Sequence, residues 1–65
     1  MGLLMKNRRA ITERTGERLV RAGHDFEQVA RRLAAEGFVA EAGTVKTAAA
    51  SLRNVGHAIL AALRR

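Results

Sequence analysis

The chain has 65 residues, no cysteine and a formal charge of +6, which allows one small domain and excludes disulfides, thiolate metal sites and two independent cores. Ten arginines and two lysines face six acids, so the surface attracts anions, and arginine's planar fork suits phosphate and base edges better than a lysine does. No apolar run approaches the roughly 20 residues that cross a bilayer, and Met1 to Lys6 lack the charged-then-apolar order of a signal peptide, so a cytoplasmic location is expected.

The charge is uneven along the chain. Residues 1 to 22 carry six bases and two acids, residues 23 to 43 two bases and four acids, and residues 44 to 65 four bases and no acid. Proline is absent, and Gly23 and Gly37 each follow a run of good helix formers, as C-terminal glycines do. The expected fold is therefore all-α: a small three-helix domain with a long C-terminal helix, spanning residues 1 to 65. A core this small supplies only about 3–5 kcal/mol, so homodimerisation is expected to assist it.

The first helix is predicted from about Lys6 to Ala22, after a candidate disordered terminus at residues 1 to 5. Ile11, Leu19 and Val20 face inward and Arg8, Arg14, Arg18 and Arg21 outward, with a weak point at Gly16. Asp25 is a candidate N-cap with Gln28 completing a capping box, which starts the second helix at Phe26 and ends it near Glu36. Phe26, Val29, Ala30 and Leu33 form its buried stripe. The connection from Gly37 to Gly43 tucks Phe38 and Val39 into the core, and Thr44 caps a third helix reaching Leu63. Its inner stripe reads Val45, Ala48, Ala49, Leu52, Val55, Gly56, Ile59 and Leu63. The surplus of that stripe over an 11-residue second helix makes Leu52, Val55, Gly56, Ile59, Leu60 and Leu63 the candidate dimer or partner interface.

No catalytic constellation is apparent, and the expectation is a binding protein without cofactor or metal. His24 sits at a helix boundary and His57 on the exposed side of the third helix, in different elements and with no cysteine or paired carboxylate nearby in sequence. Glu13 and Glu17 alternate with arginines as solvated partners do, and no glycine-rich phosphate loop is present. The outward residues of the third helix are Lys46, Thr47, Ala50, Arg53, Asn54 and His57. Arginine pairs with guanine and asparagine with adenine, while Ala50 and Ser51 permit close approach to a groove. With only two phenylalanines for stacking, duplex DNA ranks above single strands.

The stretch from Asp25 to Val55 resembles the helix-turn-helix-like segment of large serine recombinases and of small plasmid mobilisation and partition accessory proteins. The elements that carry the resemblance are Val29 with Ala30, Leu33, Gly37 with Phe38, Gly43, and the run Thr47, Ser51, Leu52, Arg53. The resemblance implies a supporting helix followed by one that enters the groove, with Thr47, Ser51, Arg53 and Asn54 as DNA contacts. The resulting expectation is a small DNA-binding regulator or accessory factor of a mobile element. Lys46, Thr47, Ser51, Arg53, Asn54 and His57 read the duplex while Arg8, Arg9, Arg14, Arg18 and Arg21 hold phosphates. The alternative is a helical protein-interaction module for an acidic partner. A third reading sets Leu3, Leu4 and Met5 with Arg8 and Arg9, or the segment Ile59 to Arg65, on a membrane surface.

Overall fold

A computed structural model describes the backbone from residue 2 to residue 64 and the side chains from residue 8 to residue 64. It contains two helices, α1 (Gly2–Ala35) and α2 (Val39–Leu63), packed side by side as an antiparallel hairpin. Residues 2 to 5, set apart in the sequence reading as a candidate disordered terminus, belong to α1; Met1 lies outside the described residues.

The fold is all-α, but it has two helices where the glycine pattern predicts three. Gly23 does not end a helix. It lies against α2, and a Cβ there would meet the Arg53 side chain and come within 2.8 Å of the Ala49 carbonyl oxygen, so the missing side chain permits close approach of two helices. Asp25 accordingly stands in mid-helix and caps nothing. Gly37 is the true terminator. Its φ is 96°, the Phe38 N–H donates to the Leu33 carbonyl (2.8 Å) and the Gly37 N–H to the Ala34 carbonyl (3.1 Å), which is the Schellman pattern that a left-handed glycine makes cheap.

The predicted loop from Gly37 to Gly43 contracts to a tight turn, because α2 starts at Val39 and takes in Thr44. Thr44 is no cap: its hydroxyl donates to the Ala40 carbonyl at 3.3 Å. Thr12, Thr15 and Thr47 likewise return their hydroxyls to the carbonyl four residues back, so these side chains are satisfied within the helix. Phe38 and Val39 do not tuck inward. Phe38 is half exposed and Val39 is 71% exposed, since the tight turn leaves no third helix for them to cover.

A seam of small residues holds the hairpin together. Gly16, Gly23 and Ala30 on α1 and Ala42, Ala49 and Gly56 on α2 are the buried residues, seven apart on each helix. Gly16 meets Gly56 and Gly23 meets Ala49, so that a Cβ on Gly56 would lie 2.7 Å from the Gly16 carbonyl oxygen; the same register sets Ala30 on Ala42. A seven-residue repeat keeps one seam facing the partner along a pair of helices, and the small side chains bring the backbones close. Gly16 and Gly56 are therefore packing positions, not hinges.

Heptad spacing sorts the remaining residues into rows. Three positions after each seam residue come Leu19, Phe26 and Leu33 on α1 and Val45, Leu52 and Ile59 on α2; four positions after come Val20, Glu27 and Ala34, and Lys46, Arg53 and Leu60. In an antiparallel pair each row shares a face of the hairpin with its counterpart. The face of the first row is apolar throughout, whereas the other is mixed, with Glu27, Lys46 and Arg53 among Val20, Ala34 and Leu60. The expected cores are corrected accordingly: Ile11 is 61% exposed, Phe26, Val29 and Val55 are each about half exposed, and Ala48 is exposed. Two helices enclose one line of contact, and no large side chain is fully buried among the described residues.

Candidate nucleic-acid interface

Residues two positions before or after a seam residue lie about 200° round the helix from it, on the side away from the other helix. On α1 this outer row is Arg14, Arg18, Arg21, Asp25, Gln28 and Arg32, all exposed. Arg14, Arg18 and Arg21 follow one another within two turns, with no acid between them on the row. Among the described residues the ion pairs are His24 with Glu27 and Arg53 with Glu27, and none involves the outer arginines. Arg8 is exposed as well, while Arg9 donates to the Leu63 carbonyl and so ties the open end of the hairpin together.

The outer row of α2 has another character: Ala40, Thr44, Thr47, Ser51, Asn54 and Ala58, all exposed, small and uncharged. Of the residues expected to read bases, Thr47, Ser51 and Asn54 share this row. Lys46 and His57 are exposed on the polar flank beside it. Arg53 is placed differently from expectation. It is half-buried in the row next to the seam, where its Nη1 donates to Glu27 Oε2 at 3.0 Å, because the glycine at position 23 leaves room for its stem.

The outer rows of α1 and α2 point in opposite directions. A single hairpin therefore cannot lay Thr47, Ser51 and Asn54 in a groove while Arg14, Arg18 and Arg21 hold the phosphates of the same stretch of duplex. The expected partner interface divides too. Gly56 is part of the intrachain seam, Leu60 packs on Gly16, and Ile59 also reaches it, whereas Val55 remains outside; Leu52, Ile59 and Leu63 are half-buried.

The polar flank brings His24 and His57 to one open depression with Glu17, Val20, Arg21 and Leu60. His24 is not at a helix boundary but in mid-helix, its Nδ1 3.1 Å from Glu27 Oε1. No group of three metal-binding side chains forms among the described residues, and no described helix is long and apolar enough to cross a membrane. The ion pair between Glu27 and Arg53 escaped the sequence reading, because it depends on an antiparallel register that a three-helix division conceals. Comparisons with protein-family models, with curated proteins and with solved structures find no match to this chain.

Proposed function

We propose that the protein binds duplex nucleic acid through its phosphates, using the outer arginine row of α1. The observation that carries this reading is the run Arg14, Arg18 and Arg21, exposed on one helix face and engaged in no ion pair among the described residues. Phosphate neutralisation releases counterions and supplies affinity that is independent of sequence. Neither phenylalanine belongs to this row: Phe26 stands on the apolar face and Phe38 in the turn, so stacking on single strands has no support there.

The test is fluorescence anisotropy with random duplex DNA between about 50 and 200 mM salt, where several phosphate contacts cost orders of magnitude in affinity. Combined Arg14→Gln, Arg18→Gln and Arg21→Gln substitutions are expected to flatten the salt slope by roughly 0.9 per arginine. An unchanged slope would remove the arginine row from the interface, and absence of binding at the lowest salt would turn the same row toward an acidic protein. The helix-turn-helix-like reading assigns base contacts to α2, whose small outer row is suited to close groove approach. It requires the α1 arginines to lie off that stretch of duplex, and it predicts a sequence preference that Asn54→Ala relaxes.

A further inference from the structure

From the apolar face of the hairpin we infer that two copies stack face to face with their turns at opposite ends, α1 on α1 of the second copy about an axis near Ala22. The hairpin alone is an open object. It exposes 5336 Å², where a compact monomer of its 7.1 kDa exposes about 4,100 Å². Its Cα radius of gyration is 15.3 Å, against about 11 Å for a compact chain of this length. The excess area, roughly 1,200 Å², is at least the ~800 Å² per partner of a standard interface.

The face that would be covered is marked by its chemistry. It carries Leu19, Phe26, Leu33, Val45, Leu52 and Ile59, flanked by the row one position before each seam residue. On α1 that flanking row reads Arg8, Thr15, Ala22, Val29 and Glu36, and on α2 Glu41, Ala48 and Val55. Its middle is uncharged, its open end is basic at Arg8 and its turn end is acidic at Glu36 and Glu41. A two-fold axis at Ala22 sets Ala22 on its own copy, Thr15 on Val29 and Arg8 against Glu36, so both ends gain opposite charges; Ala48 and Val55 fall on either side of the same axis. Stacking with the turns at the same end would bring like charges together at each end. A mixed protein partner has no such reason to match this symmetric row, whereas a second copy matches it by construction.

Sedimentation of the full chain over roughly a hundredfold range of concentration is expected to show a monomer–dimer equilibrium. Val29→Asn and Val55→Asn each raise the dimer dissociation constant by roughly tenfold or more, while Val39→Asn, on the polar flank, leaves it unchanged. Val29 and Val55 are outside the seam, so circular dichroism of the variants should keep the helical signal. Because the chain has no cysteine, Ala22→Cys is expected to form a disulfide-linked dimer on oxidation, and a mixture of Thr15→Cys and Val29→Cys chains to form the mixed dimer in preference to either homodimer. A chain that stays monomeric, or a dimer dissolved by Val39→Asn and not by Val29→Asn, would overturn the inference. A dimer in which Ala22→Cys does not cross-link would overturn the arrangement of the turns.

Discussion

Three glycines of this chain, Gly56, Gly43 and Gly16, have different surroundings, and the neighbours of each decide its replacement. At Gly56 an added methyl would meet the Gly16 carbonyl oxygen at 2.7 Å and the Val20 nitrogen at 2.9 Å, backbone atoms that cannot turn aside. Gly56→Ala is therefore expected to cost about 1–3 kcal/mol, the range of overpacking. Gly43, within α2, has nothing within 4 Å of the same methyl and no positive φ. Gly43→Ala should stabilise by about 0.5–1 kcal/mol through reduced freedom of the unfolded chain. Gly16 is intermediate, since the atoms 3.1 Å away belong to the Leu60 side chain, which has rotamers to explore. Urea unfolding of the three variants checks the order; equal midpoints for Gly56→Ala and Gly43→Ala would mean that the helices do not meet closely at the seam.

At the scale of elements, the continuity of α1 through residues 22 to 26 separates this hairpin from a three-helix domain, and Asp25→Ala tests it. Removing an N-cap costs about 1 kcal/mol, whereas replacing an exposed mid-helix aspartate by alanine gains up to about 0.7 kcal/mol in helix propensity. A rise in the urea midpoint is expected; a fall near the capping value would restore the break. Helical periodicity, the end at Gly37 and the outward arginines were legible in the sequence because each follows from local rules. Gly23 and Asp25 misled because a glycine before an aspartate is also the signature of a helix end and a new cap. Only the partner helix reveals that Gly23 is small for the sake of Ala49. The seam was legible in part, since Ala30, Ala49 and Gly56 read as inward, but Ala42 fell in the expected connection from Gly37 to Gly43, and Gly16 and Gly23 read as a weak point and a helix end. Burial in a pair of closely packed helices favours the smallest side chains, which is the reverse of the usual core. The candidate site was legible as composition, in its arginines, and illegible as geometry: that α1 and α2 present their outer rows in opposite directions follows from the hairpin alone.

For the whole molecule, stacking and nucleic-acid binding make one joint prediction. An axis that sets α1 on α1 keeps both α1 helices on the same side of the bundle, so the two rows of Arg14, Arg18 and Arg21 open onto one surface, and the small uncharged rows of α2 onto the other. Phosphates contacted by both rows add in the exponent of the salt dependence: at about 0.9 per phosphate, two rows of three give a slope near −5 and one row a slope near −3. Val55→Asn removes no charge and lies on α2, away from the arginines, yet it should lower the slope by loosening the dimer. The measurement is the dependence of duplex affinity on salt for the wild-type chain and for Val55→Asn, at concentrations where sedimentation shows the first dimeric and the second monomeric. A slope that halves supports a shared basic surface. If the slope is unchanged although the variant is monomeric, each hairpin meets the duplex by itself, and the two rows do not face the same way.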